Sequence, residues 1–173
     1  DQEQQPIGFT SYILAKRAGL TPTFASYKYN IPEAPFFILP SIAGWAPINK
    51  ECFDTLVERV KDGATLLVTV TSGMICEFED TFGLRSSGMT KTGKGSYTVD
   101  GYELPYEYVI KYHLSSIGAK VIAAAEDGNV ILSENKLGKG KVLLLSYPLE
   151  AMVWQRQGAY EQGEPAYHHI YEI

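Results

Sequence analysis

The sequence predicts a doubly wound α/β domain whose parallel sheet is extended by antiparallel strands. The first half alternates amphipathic helical segments with short, fully apolar segments, which is typical of strands buried on both faces of a parallel sheet. The second half contains several strand-like segments separated by glycine-containing turns, and this pattern favours antiparallel hairpins. A length of 173 residues is that of one domain with a substantial core.

Two helices and three strands are predicted in the first half. Residues 8–18 show helical spacing of apolar residues and are followed by Gly19, and Asn49 is a suitable N-cap for a helix over 51–61. Strands are predicted over 20–26, 36–39 and 64–70, and we expect the last two to be parallel neighbours. Because the first helix follows no strand in this sequence, we expect an apolar strand ahead of Asp1 or another segment in the central sheet position.

The second half is predicted to be mostly antiparallel. Residues 88–101 are rich in Gly, Ser, Thr and Lys, and Gly93-Lys94-Gly95 is predicted to be a flexible or turn segment. Strands are predicted over 106–113, 119–125, 129–136 and 141–146, with hairpin signals at Asp127-Gly128 and Gly138-Lys139-Gly140. A terminal helix is predicted over 160–173.

The composition argues against several functional classes. A formal charge of −5 disfavours nucleic acid as a partner, because phosphate contacts need a basic surface. No apolar run reaches the roughly 18 residues of a membrane span, and no signal peptide opens the chain, so we expect no membrane partner and a cytoplasmic location. Two cysteines form neither a disulfide framework nor a zinc motif, and we expect no cofactor and no metal. The polar start Asp1-Gln2-Glu3, without Met, suggests a piece of a longer polypeptide.

Several short motifs follow one another in a characteristic order. They are Ala15-Lys16-Arg17-Ala18-Gly19, the apolar strand at 36–39 with Pro40, Asp62-Gly63 before the strand at 64–70, Thr71-Ser72-Gly73 after it, and Gly138-Lys139-Gly140. This order resembles the class I glutamine amidotransferase-like, flavodoxin-like three-layer fold. It resembles more closely the non-catalytic, trimerisation-type domain that follows the catalytic barrel in family 42 β-galactosidases and related cellulase-like glycoside hydrolases.

The catalytic residues of the amidotransferase family have no counterpart here. That family uses a cysteine at a sharp turn, a Gly-Gly oxyanion loop and a downstream His-x-Glu, whereas this chain has Thr71-Ser72-Gly73 at the turn, Ser41-Ile42 at the loop and no His-x-Glu. The resemblance therefore implies that residues 1–173 form one non-catalytic accessory domain of a longer glycoside hydrolase. Such a domain would pack on a catalytic (β/α)₈ barrel of the same polypeptide and support a homo-oligomer.

Contacts with a ligand or another domain are predicted at the carboxyl ends of the parallel strands. The candidates are Ser41, Gly44, Trp45, Ser72 and Gly73, and Tyr27, Tyr29 and Tyr167 are further candidates for domain contacts. Trp45 is suited to stack on a sugar ring or to anchor a neighbouring domain. Two alternatives remain open, namely an active amidotransferase- or peptidase-like hydrolase that uses Cys76 or Ser72, and a sugar-binding module.

Overall fold

The computed structural model shows a mixed α/β fold and describes residues 4–26, 28, 30–42, 48–71, 78–156, 158, 160–161 and 165–173. In these residues the helices and strands follow the order α1 (Gln4–Arg17), β1 (Phe36–Ile42), α2 (Lys50–Asp62), β2 (Thr65–Val70), β3 (Leu84–Val99), β4 (Tyr102–Ser116), β5 (Lys120–Ala124), β6 (Val130–Leu137), β7 (Gly140–Leu145), α3 (Leu149–Gln155) and the 3₁₀ helix η1 (Tyr167–Tyr171).

Within the described residues, one sheet has five strands in the order β1-β2-β7-β6-β5. Strands β1, β2 and β7 are parallel, with Phe36 paired to Thr65 and Thr65 paired to Lys141, whereas β6 and β5 continue the sheet in antiparallel fashion. The predicted α/β class, the parallel pairing of 36–39 with 64–70 and the antiparallel extension are therefore confirmed. The central position beside β2 is filled by β7, a segment from late in the chain.

The two faces of the sheet bury alternate side chains of the same strands. Leu67, Leu143 and Leu145 belong to a core with α1, α3 and η1, whereas Leu66 and Leu144 belong to a second core with α2. This alternation follows from the two-residue period of a strand. Helices consequently cover both faces of the parallel part of the sheet.

Helix α2 forms where the sequence predicted it. The Asn49 side chain accepts a hydrogen bond from the backbone N–H of Cys52 at 2.8 Å and caps the first turn. Phe53 and Val60 are buried against the sheet, and Gly63 with φ of 131° ends the helix. The Cys52 thiol lies in this core, and its burial raises its pKa.

Strands β3 and β4 form a separate two-stranded antiparallel ribbon, which we call the β3–β4 ribbon. Its base buries Leu84 and Tyr112 in the α2 core, whereas Tyr97 and Leu104 near its turn lie in the opposite core. The ribbon therefore passes from one face of the sheet to the other, and β3 contacts the edge strand β5 on the way. Covering an edge strand in this manner blocks its pairing with another chain.

The prediction of a flexible or turn segment at Gly93-Lys94-Gly95 is wrong, because these residues lie within strand β3. Gly93 pairs with Tyr108 and Gly95 with Tyr106 across the ribbon. A Cβ atom on either glycine would overlap the opposite tyrosine ring. The two glycines therefore make room for aromatic rings inside a strand, a use that their local sequence does not distinguish from a turn.

Four further predictions need correction. Residues 20–26 form no strand, and Phe24 there is exposed. The strand predicted over 106–113 is part of β4, but it pairs with β3 instead of joining the main sheet. The segment 141–146 is antiparallel to β6 as predicted, but it also pairs in parallel with β2. The terminal helix is limited, in the residues described, to the short η1.

Candidate functional site

A buried polar cluster lies where the carboxyl ends of the parallel strands meet. Ser41 comes from the end of β1, Thr69 from the end of β2, and Glu150 from the first turn of α3, which follows β7. Their side chains approach one another because the carboxyl ends of parallel strands share one edge of the sheet. Glu150 and Thr69 have no exposed surface, and Ser41 is 3% exposed. We call these residues, with Tyr171 of η1, the Glu150 cluster.

Ser41 is held in an unusual backbone conformation. The register of β1 on β2 is interrupted between Leu39 and Ile42, and Ser41 adopts a φ of 46°. The left-handed region disfavours residues other than glycine, because Cβ approaches the carbonyl oxygen closely. The Ser41 backbone N–H donates to Thr69 Oγ1 at 2.6 Å. This bond and those of the side chain offset the strain and hold Ser41 inside the cluster.

The Glu150 carboxylate accepts hydrogen bonds from three hydroxyl groups. Ser41 Oγ donates to Oε2 at 2.8 Å, Thr69 Oγ1 donates to the same oxygen at 2.5 Å, and Tyr171 Oη donates to Oε1 at 2.6 Å. Ser41 Oγ in turn accepts from the Ala151 backbone N–H at 3.1 Å, and Tyr171 Oη is 2.8 Å from Ser11 Oγ. Every polar side chain of the cluster therefore has a partner within the protein.

Burial, followed by the charge of Glu150, raises the pKa of Tyr171 well above its ordinary value. A low-dielectric surrounding penalises the phenolate, and the neighbouring carboxylate repels it. The phenol consequently keeps its proton and remains a donor to Glu150. The cluster is thus a fixed arrangement that joins β1, β2 and α3 to η1.

The serine of the cluster is not accessible as a nucleophile. A serine nucleophile requires an adjacent base that can take its proton and a substrate that can reach it. Glu150 accepts the hydrogen bond of Ser41 and so occupies the position of a base, but both residues are buried and hydrogen-bonded within the protein. The arrangement is suited to fixing the strand ends, not to attacking a substrate.

The predicted site residues are only partly placed by the structure. Ser41 lies in the Glu150 cluster, whereas Gly44, Trp45, Ser72 and Gly73 lie outside the described residues, as do Tyr27, Tyr29 and Cys76. Tyr167 is placed and is 3% exposed, and its hydroxyl donates to the Pro105 carbonyl at 2.5 Å. The prediction of Tyr167 as a contact for another domain is therefore wrong, because its surface is used in the core.

Sequence reasoning missed Glu150. Glu150 follows shortly after the apolar segment 141–146, and an acidic residue at the end of a parallel strand would indicate a site. The sequence pattern instead predicts that 141–146 belongs to antiparallel hairpins. Only the parallel pairing of β7 with β2 brings the end of that strand to Ser41 and Thr69.

Two general findings concern the described part of the chain. No group of three or more His, Cys, Asp or Glu side chains there is arranged to hold a metal ion. None of the helices in that part combines the length and apolar character needed to cross a membrane.

The sequence matches no protein-family model, and no curated protein matches it. Solved structures do match. Exo-β-1,4-mannosidase Op5Man5 from Opitutaceae bacterium strain TAV5 aligns with 96% of this chain at a TM-score of 0.80 and 15% identity. A β-galactosidase from Bacillus circulans sp. alkalophilus aligns with 80% at a TM-score of 0.63 and 14% identity. The cytoplasmic protein STM3548 from Salmonella typhimurium aligns with 93% at a TM-score of 0.65 and 11% identity.

The matched region is a minor part of the two enzymes. This chain spans 30% of the mannosidase chain and 24% of the galactosidase chain, but 84% of the Salmonella protein. At these identities the likeness shows the fold alone. The same fold therefore occurs as a fraction of glycoside hydrolase chains and as most of a small protein.

Proposed function

We propose that this chain is a non-catalytic structural domain of a glycoside hydrolase, with the class I glutamine amidotransferase-like, flavodoxin-like fold. In this role it packs on the domain of the same polypeptide that carries the two catalytic carboxylates, and it contributes to a homo-oligomer. The matches to a mannosidase and a β-galactosidase, each over less than a third of the enzyme chain, support this proposal.

The observation that carries the non-catalytic assignment is the closed state of the Glu150 cluster. In an open α/β sheet the carboxyl ends of the strands are the usual place for a ligand. Here Glu150 is fully buried, and Ser41, Thr69 and Tyr171 occupy both of its carboxylate oxygens. A substrate would have to displace these internal hydrogen bonds before it could reach any of the groups.

An exposed aromatic surface formed by α1 and the segment that follows it is the best candidate for packing on the catalytic domain. Phe9, Tyr12 and Phe24 are 54%, 39% and 74% exposed. The rings of Tyr12 and Phe24 stack with their centroids 6.1 Å apart, so they form one continuous surface. Exposed aromatic side chains that cluster in this way are typical of interfaces. The enzyme chains that share the fold hold more than two thirds of their length outside it, and this supports the proposal that the rest of a longer polypeptide packs on this surface.

A first experiment separates the accessory role from a catalytic one. The 173-residue chain is assayed for hydrolysis of aryl β-mannosides and β-galactosides and for release of ammonia from glutamine, next to the native polypeptide that contains it. We expect no activity from the chain alone and glycosidase activity from the native polypeptide. Hydrolysis by the chain alone, abolished by Cys76→Ala or Ser72→Ala, would establish the enzymatic alternative instead.

A second experiment tests the packing surface in the native polypeptide. Phe9→Ser combined with Phe24→Ser removes exposed apolar area, and we expect looser domain association, seen as faster proteolysis between the domains and a changed sedimentation coefficient. Val109→Ser is the matched control, because Val109 is 62% exposed on the β3–β4 ribbon and is not part of this aromatic surface. Equal behaviour of both variants would assign the interface to another surface and leave the activity result standing.

A further inference from the structure

A cavity of about 550 Å³ lies between the β3–β4 ribbon, the turn that joins β5 to β6, and α3. Lys94 and Glu107 come from the ribbon, Glu126 from the turn, and Met152 from α3. No residue of the Glu150 cluster lines it. A cavity of this size is in the range that binds small molecules.

Solvent-exposed polar side chains without a partner among the described residues distinguish this cavity from the buried Glu150 cluster. The side chains of Lys94, Glu107 and Glu126 make no hydrogen bond or ion pair within the described part of the chain. Lys111, by contrast, is held by Asp127 with 2.5 Å between Nζ and Oδ2, and it forms a fixed part of the wall. The cavity therefore offers a donor and two carboxylate acceptors that a ligand can use without displacing an internal bond.

The charges of the described residues around the cavity cancel. Among them, three cationic side chains, Lys94, Lys111 and Arg156, and three anionic side chains, Glu107, Glu126 and Asp127, line the cavity. A small ion of either sign would meet like charges as well as opposite ones. Pro105 is half-buried and adds apolar surface to the wall, behind which the core residues Tyr106 and Met152 lie. The lining thus suits a neutral ligand that carries both polar groups and an apolar face.

We infer that this cavity binds a neutral, hydroxyl-rich ligand, that is, a saccharide of one or two units. Each sugar hydroxyl both donates and accepts, so it can bond to the Glu107 and Glu126 carboxylates as donor and to the Lys94 ammonium as acceptor. The C–H face of the ring then packs on Pro105, which is half-buried in the wall of the cavity. The inference rests on side chains of this chain alone and does not depend on the proposed accessory role.

Chemical-shift mapping tests the site. The ¹⁵N-labelled 173-residue chain is titrated with β-1,4-mannobiose and with lactose, and inorganic phosphate is titrated in parallel as a charged comparison. We expect saturable shifts of the amides of Gly95, Ser96, Glu107 and Glu126 with at least one disaccharide, and weaker effects from phosphate. Shifts that are absent with both sugars, that lie elsewhere in the chain, or that are stronger with phosphate would overturn the inference.

Matched variants connect the shifts to the side chains. Lys94→Ala and Glu107→Ala each remove one charged hydrogen-bonding group, and we expect about a tenfold loss of affinity. Lys91→Ala and Glu103→Ala are the controls, because both residues are exposed on the same two strands and neither lines the cavity. All four side chains are exposed, so the variants should fold alike. An equal affinity of the cavity variants and the controls would also overturn the inference.

Discussion

At the scale of single residues, the Glu150 cluster shows how a buried carboxylate can serve a structural purpose. Glu150 has no exposed surface, and the side chains that donate to it in the described structure are neutral hydroxyl groups. The hydrogen bonds from Ser41, Thr69 and Tyr171 replace the water that the carboxylate has lost. A buried charge is tolerated only when hydrogen bonds replace the water it has lost. The hydrogen bonds of Ser41 also stabilise its left-handed backbone conformation, and that conformation in turn places its hydroxyl next to Glu150.

Glu150→Gln tests this dependence without leaving a hole. The amide replaces one acceptor oxygen with a donor, so at least one hydroxyl of Ser41, Thr69 or Tyr171 can no longer donate to residue 150 and its hydrogen bonds must rearrange. We expect a loss of about 1 to 3 kcal/mol in the free energy of unfolding, measured by urea denaturation with an unchanged m-value. Glu103→Gln, at an exposed position, should change stability by less than about 0.5 kcal/mol. Equal stability of the two variants would show that the carboxylate does not hold the cluster together.

The site could be predicted from the sequence only to the extent that its residues follow recognisable strands. Ser41 was found because it follows an apolar strand. Glu150 was missed because its position depends on the parallel pairing of β7 with β2, which joins residues far apart in sequence. No local pattern around 141–150 records that pairing.

At the scale of elements, the turn between β6 and β7 is packed closely against the end of α2. Lys139 donates its backbone N–H to the Lys61 carbonyl at 2.9 Å. A Cβ atom at Gly140 would overlap the carbonyl oxygens of Ala64 and Val60. These are main-chain atoms, so a larger residue must displace the connection between α2 and β2 or the start of β7.

Gly140→Ala should therefore be strongly destabilising. We expect a loss of about 3 kcal/mol or more, because the displaced backbone cannot relax as a side chain would. Gly118→Ala is the matched control, since Gly118 lies between β4 and β5 and has nothing within 4 Å of its Cβ position. The control should be neutral or stabilising by up to about 1 kcal/mol. Thermal unfolding of both variants makes the comparison, and a small effect at Gly140 would contradict the close packing.

Element prediction succeeded where short-range signals decide the structure. The cap at Asn49 and the apolar face of 51–61 are properties of α2 itself, and they gave the helix correctly. The turn prediction at Gly93 and Gly95 is wrong because these glycines make room for tyrosines of the partner strand, which their local sequence does not show. Residues 20–26 resemble a strand in sequence but have no partner in the described sheets.

At the scale of the whole molecule, η1 is joined to the turn of the β3–β4 ribbon through His169. Its Nδ1 lies 2.7 Å from Glu172 Oε2, and its Nε2 lies 3.0 Å from Asp100 Oδ2. Only the imidazolium can donate to both carboxylates at once. Burial alone would lower the pKa of His169, but the hydrogen bonds to Asp100 and Glu172 and their charges outweigh it and raise the pKa.

This pairing should make stability depend on pH. A raised pKa in the folded state means that the stabilisation is complete below the unfolded pKa of about 6.5 and is lost as pH rises through the folded value. His169→Gln should therefore cost up to about 1 kcal/mol near pH 5.5 and much less near pH 8.5. His168→Gln is the control, because His168 Nε2 lies 4.0 Å from Glu172 Oε1, which is too far for a hydrogen bond. Urea denaturation across this pH range decides the matter, and a cost at His169 that does not vary with pH would contradict the prediction.

The central place of β7 in the sheet has a consequence for the order in which the chain folds. The β3–β4 ribbon joins neighbouring segments through a tight turn, so it can form soon after its residues are synthesised. Strand β2 gains its second neighbour only when β7 pairs with it, from Lys141 opposite Thr65 onward. This pairing closes a long loop of chain, which costs conformational entropy. As the chain leaves the ribosome from its N-terminal end, the middle strand of the sheet therefore emerges after the four strands that will flank it. During synthesis the outer strands of the sheet are therefore available first, and the core between them is completed last, when β7 is inserted.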